Sequence, residues 1–226
     1  MAHSGLVIEQ RITIGSGGAA SSIRTRTLML EGDKERFNLN DRVSIVIDAD
    51  SRRATLLDAL NKVFRQLPLK RVIETSWDPN QLLGNTAFKS TGKFRTMLGY
   101  QCRDYQGIRA DGPTVVATTA CFSASVAGAA DFSRLLKLTA QHSRHPEWAN
   151  SVPAGLPLLI ETTRRANPAF PLPGFSAENA AKFRNRVAKF PPQVERVVLT
   201  RISSQKLSPE VFDWPSGYSR RGEAPD

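Results

Sequence analysis

The chain has 226 residues, 40% of them hydrophobic and 23% charged, the balance of a folded protein with a sizeable core. No apolar run approaches the roughly 20 residues that cross a bilayer as a helix, so a transmembrane helix is excluded. Lys and Arg number 31 against 21 Asp and Glu, a net charge of +10, which points to nucleic acid, an anionic membrane surface or an acidic partner.

The basic residues are spread as singles and pairs (Arg24 and Arg26, Arg52 and Arg53, Lys70 and Arg71, Arg164 and Arg165, Arg220 and Arg221), not gathered in one block. There is no zinc-finger spacing, no aromatic ribonucleoprotein motif and no basic-zipper heptad. The reading is therefore no nucleic-acid partner. Positive side chains on solvated strand faces explain the charge, with peripheral contact to an anionic envelope surface as the other use.

In chain order, residues 1–5 read as a remnant of expression cloning that replaces a removed signal peptide, with a natural cytosolic start as the alternative. Short segments of alternating polarity then predict a β-meander. They run from Leu6 to Ile14, Ile23 to Leu30, Lys34 to Leu39, Val43 to Ile47, Thr55 to Leu57 and Val63 to Leu67. The joints between them are rich in Gly, Asp, Asn and Ser. Trp77 to Gly84 reads as a loop, and strands resume at Thr86 to Met97, Tyr100 to Gln106 and Val115 to Ser125.

The period then changes. Phe132, Leu135, Leu136 and Leu138 fall at helical spacing in Asp131 to Gln141, with Asp131 placed to cap or to complement the helix dipole. Leu156 to Thr163 is another strand, and Asn167 to Gly174 is a proline-rich, exposed connection. Ser176 opens a short helix, Ala177 to Ala188, in which Ala181, Arg184 and Ala188 alternate with Lys and Arg. Val194 to Ser203 is the last clear strand, Leu207 to Tyr218 a closing turn, and 219–226 a disordered tail. No repeat or composition break divides the chain, which predicts one domain over 6–218.

Cys102 and Cys121 lie nineteen positions apart in strand-like stretches, with the turn formers of Gly107 to Pro113 between them. If that cluster turns a hairpin, the two cysteines face each other within disulfide reach. A bridge closing such a loop contributes about 3 kcal/mol in the chain-entropy model. The alternative is two separate buried thiols, as in a cytosolic protein.

Catalytic constellations are absent from the sequence. His142 and His145, with Glu147 following, have a helical spacing that could suit a metal, but Pro146 breaks the helix and the third histidine is His3 near the start. They read as a solvated helix end. Gly174-Phe175-Ser176-Ala177-Glu178 lacks the second glycine of a nucleophile elbow and reads as a helix cap. Gly15-Ser16-Gly17-Gly18 lacks the Lys-Ser/Thr of a phosphate loop. Asp48, Asp50 and Asp58 fall in turns, where Asp is locally favoured. These residues predict no enzyme activity, no metal and no cofactor.

Leu30-Glu31-Gly32-Asp33-Lys34-Glu35-Arg36-Phe37, then Val46-Ile47-Asp48, Leu56-Leu57-Asp58 and Lys62-Val63-Phe64, resemble the opening of periplasmic proteins of the lipoprotein-carrier-like (LolA-like) superfamily, in an uncharacterised branch. Leu98-Gly99-Tyr100-Gln101-Cys102, Val152 to Leu158 and Phe212 to Tyr218 resemble later parts of the same branch in order. The resemblance implies a mainly β (α+β) fold, a curved antiparallel half-barrel of about eleven strands with two or three helices covering its concave face. It also implies a periplasmic protein that takes an apolar or lipid-like ligand in that concavity. Val46, Leu57, Phe64 and Met97 on strands, with Leu135 and Leu138 on the covering helix, are the expected lining, and Arg164 and Arg165 the expected contacts to an anionic headgroup. The alternative is an envelope interaction or sensor module whose helices fill the concavity.

Overall fold

The computed structural model describes residues 5–17, 19–73, 83, 86–141 and 146–222. Among these residues, twelve strands form an open, curved, almost wholly antiparallel sheet, accompanied by three α-helices. The strands are β1 (Gly5–Ser16), β2 (Ala19–Glu31), β3 (Lys34–Asn38), β4 (Val43–Asp48), β5 (Arg53–Asp58), β6 (Val63–Pro68), β7 (Lys89–Met97), β8 (Tyr100–Asp111), β9 (Thr114–Ser123), β10 (Leu156–Ala166), β11 (Gln193–Gln205) and β12 (Ser219–Arg220). The helices are α1 (Leu69–Ile73), α2 (Ala129–Gln141) and α3 (Ala177–Val187). Sheet order is β12-β6-β5-β4-β3-β2-β1-β11-β10-β9-β8-β7, two meanders joined where β11 pairs along β1.

The meander of the first half follows directly from its polarity pattern and turn residues. Asp58 shows how one joint is built: its carboxylate accepts the backbone N–H groups of Leu60 and Asn61, each at 3.1 Å, and fixes the β5–β6 turn. The β8–β9 hairpin is longer than the spacing of turn formers predicts. Gly107 lies inside β8, not in the turn, and is buried. A Cβ there would sit 2.3 Å from Thr86 Cγ2 and 2.8 Å from the Ala87 carbonyl oxygen, so close backbone approach, not turning, is what this glycine serves.

The main core lies on one face of the sheet. Ile8, Leu28, Leu30, Phe37, Ile45 and Ile47 meet Phe132, Leu135 and Leu136 of α2, with Leu69 and Val72 of α1. The apolar side of α2 therefore occupies this face itself. Cys102 and Cys121 are joined by a disulfide in the same core.

The opposite face carries a second, smaller core. Val46, Leu57 and Phe64 pack there against Leu207 and Phe212 of the segment that follows β11. Ser219 and Arg220, expected to belong to a disordered tail, instead pair in parallel with Val63 and Phe64 as a twelfth strand. Gly5, expected to be part of the cloning remnant, opens β1 opposite Gln205. Residues 1–4 and 223–226, His142 and His145, and all but Leu83 of the predicted 77–84 loop lie outside the described residues.

Candidate functional site

The connection between β10 and β11 builds a partly enclosed apolar site. Asn167 ties its start to the β8–β9 turn. Its backbone N–H donates to the Pro113 carbonyl at 2.8 Å, and its Nδ2 to the Gly112 carbonyl at 3.1 Å. Pro168 and Pro173 each sit second in a tight turn, where their fixed φ is suited; the turns are closed by the Phe170 N–H donating to the Asn167 carbonyl and the Phe175 N–H donating to the Leu172 carbonyl, each at 3.2 Å. Ser176 then caps α3, its Oγ accepting the N–H of Asn179 at 3.3 Å. Glu178 lies in the first turn of α3 and Arg184 and Arg186 in the last, each matching the helix dipole.

Between this connection and the ends of β9 and β10 lies a cavity of about 620 Å³, inside the roughly 300–1,000 Å³ range of small-molecule sites. Its walls are Val115, Phe170, Leu172, Phe183, Val187 and Phe190. Two guanidinium groups, Arg165 and Arg184, share the lining, and Arg184 donates to the Phe170 carbonyl at 3.3 Å. No hydrogen bond or ion pair engages Arg165 among the described residues. Apolar walls with guanidinium groups among them match a molecule that has an apolar body and an anionic end.

Strand register explains why Arg165 reaches this cavity and Arg164 does not. Arg165 pairs with Val115, which pairs with Ala110; this row points to the side where α3 lies. Arg164 pairs with Val116, which pairs with Arg109, and that row points to the other side. There Arg109 lies within 3.4 Å of Thr86 Oγ1 and 3.6 Å of Asp111. Burial holds the Arg109 guanidinium below its ordinary pKa; Asp111 opposes this and Arg164 adds to it.

The other expected lining residues divide three ways. Val46, Leu57 and Phe64 belong to the small core under the C-terminal segment, on the face opposite Leu135. Leu135 belongs to the main core and is fully buried, and Met97 and Leu138 are half-buried and pack against it. Leu138 also borders a groove of about 570 Å³ along the outer flank of α2, beside Arg134 and Lys137. The eight residues thus do not meet in one site; only Arg165 faces the cavity of the β10–β11 connection. The aromatic residues of that cavity carry no motif, and the one available signal was Phe183, Val187 and Phe190 at helical spacing.

The fold and site define an open, curved, antiparallel sheet protein with a helical insertion that frames a basic, apolar pocket. No protein-family model matches the chain, and no curated protein matches it. Among solved structures, PNGF-II in its P21 form matches at 11% identity and a TM-score of 0.45, over 96% of this chain and 31% of that one. PNGF-II in its C2 form matches at 10% identity and a TM-score of 0.32, over 98% and 31%. This chain thus spans about a third of the length of PNGF-II. A LolA superfamily protein from Nitrosomonas europaea matches at 7% identity and a TM-score of 0.35, over 94% of this chain and 91% of that one. With all three TM-scores below 0.5, the fold description stands on the chain's own topology.

Proposed function

We propose that this protein is a binding protein, not an enzyme, and that it holds an apolar molecule with an anionic end, of the lipid or fatty-acid class. The observation that carries the reading is the cavity of about 620 Å³ with phenylalanine walls and with Arg165 and Arg184 in its lining. The resemblance of the sequence to lipoprotein-carrier-like proteins supports the same ligand class. The site differs from the one that resemblance implies, because α2 fills the face on which the ligand was expected. An exported, periplasmic location is part of the proposal, supported by the Cys102–Cys121 disulfide, a bond that persists in oxidising compartments.

The test is calorimetric titration with a medium-chain alkyl carboxylate and with the alcohol of the same chain length. The carboxylate binds and the alcohol binds more weakly. Arg165→Gln weakens the carboxylate by about tenfold, the worth of one charge-assisted hydrogen bond, and leaves the alcohol unchanged. Equal binding of both ligands to both proteins would refute the site.

A second reading, an interaction module of the envelope with no small-molecule ligand, draws on the filling of the α2 face and on the exposed outer edge at β7. Under that reading neither ligand gives heat, and a partner strand pairs along Lys89–Met97.

A further inference from the structure

Helix α3 contrasts with α2, which buries Phe132, Leu135 and Leu136. Of its own residues α3 buries only Ala180. Ala180, Phe183, Val187 and Phe190 follow one another at steps of three, four and three, so the helix and the turn after it carry one apolar stripe. Phe183 is 45% exposed and Phe190 66% exposed. Phe175, just before the cap, is 52% exposed, and its ring centroid lies 6.0 Å from that of Phe183. Three phenylalanines in water on one short segment is a costly arrangement for a surface with nothing to cover it.

The charges beside them are almost all positive, with Lys182 paired on the helix surface to Glu178. Between Arg164 and Pro192 the basic residues are Arg164, Arg165, Lys182, Arg184, Arg186 and Lys189, and the only acidic residue is Glu178. Lys182, Arg186 and Lys189 are exposed and take no part in the cavity. A short helix with aromatic residues along one side and Lys and Arg flanking it has the composition of a helix that lies in a membrane interface, rings in the acyl boundary and cations among headgroups. A protein partner would need acidic groups matched to three separate cations; an anionic bilayer offers them anywhere on its surface.

We infer that α3 and the turn on each side of it dock this protein on an anionic lipid bilayer, with Phe175, Phe183 and Phe190 entering the acyl boundary and Lys182, Arg186 and Lys189 meeting headgroups. This deepens the ligand reading, because Phe183 and Phe190 also wall the cavity and docking would set its lining against the membrane. The two are nevertheless separable by experiment.

Flotation of the full chain with vesicles tests the docking. Vesicles of phosphatidylcholine alone should leave it in the soluble fraction, and vesicles of phosphatidylcholine and phosphatidylglycerol in equal parts should carry it upward. K182Q/R186Q/K189Q should lower partitioning on the order of a hundredfold, from the contribution of each cation near an anionic surface. F175S/F183S/F190S should lose vesicle binding at moderate salt while keeping its circular dichroism spectrum, since the rings are not core residues. A wild-type protein that ignores anionic vesicles, or a K182Q/R186Q/K189Q variant that floats like wild type, would overturn the inference. The same K182Q/R186Q/K189Q variant should bind the soluble alkyl carboxylate normally. Loss of carboxylate binding in wild type with flotation intact would sink the ligand reading alone.

Discussion

The rings of Phe64 and Trp214 stack with centroids 4.5 Å apart and planes 8° from parallel. Through this contact the C-terminal segment closes over the outer face of β4, β5 and β6. Arg36 adds a polar tie, its Nη1 donating to the Val211 carbonyl at 2.9 Å and its Nη2 to Ser44 Oγ at 3.2 Å. Trp214→Ala should lower stability by about 1–2 kcal/mol, combining the stack with lost apolar cover. Phe64→Ala, at a buried position, should cost about 3 kcal/mol. Denaturant midpoints measure both. An unchanged midpoint for Trp214→Ala would mean that the segment does not clasp the sheet.

The small core beneath Trp214 also shows where the sequence stops being legible. Strand alternation separates Ile45 and Ile47 from Val46 and Ser44, but all four are buried, so β4 has cover on both faces. Alternation then says which residues share a side and not which cover each side meets. Alternation keeps Val46, Leu57 and Phe64 on one side and leaves open whether α2 or the C-terminal segment covers it. Most strands and α2 were readable because half-burial preserves their period, as in β1, where Glu9 and Arg11 are exposed between buried neighbours. The twelfth strand was not, because two residues carry no period. In α3 the Lys and Arg between the phenylalanines mask their stripe, and Arg164 and Arg165 cannot serve one site because neighbours on a strand face apart.

Gly155 supports the junction between α2 and β10. Its φ is +116°, and a Cβ there would sit 2.5 Å from the Ser123 carbonyl oxygen. Its N–H donates to Ser133 Oγ at 2.7 Å, while that hydroxyl lies 2.8 Å from the Ala129 carbonyl oxygen. Gly155→Ala should destabilise by about 2 kcal/mol or more through forced backbone conformation and contact. Ser133→Ala should cost about 1–3 kcal/mol, because it strands a buried N–H. Thermal unfolding would show both, and a neutral Gly155→Ala would contradict the described turn.

The disulfide should stabilise by about 3 kcal/mol through closure of the loop between its cysteines. Wild type should therefore unfold at lower denaturant in reductant than without it. The C102S/C121S variant should match the reduced protein and show no response to reductant. A variant as stable as the oxidised protein would remove the bond from the account.

Asp58 provides a pH signature. Hydrogen bonds from the Arg42 side chain and the Asn61 backbone hold its carboxyl at about 2, below the ordinary carboxylate value. Because the folded value is depressed, the stabilisation is complete above the unfolded value near 4 and is lost as pH falls from about 4 through about 2. Asp58→Asn should flatten the acid limb of the stability profile in that window. A carboxyl carbon resonance of Asp58 titrating near 4 in the folded protein would contradict the turn geometry.

The central claim is that an apolar molecule with an anionic end sits between α3 and the ends of β9 and β10. Its most direct test is photo-crosslinking of the native chain with a fatty acid carrying a diazirine near its tail, followed by peptide mapping. Adducts within the 167–190 segment, competed away by unlabelled fatty acid and reduced in Arg165→Gln, are the predicted result. Adducts on α2 around Leu138, or on β4 to β6, with none on that segment, would contradict it.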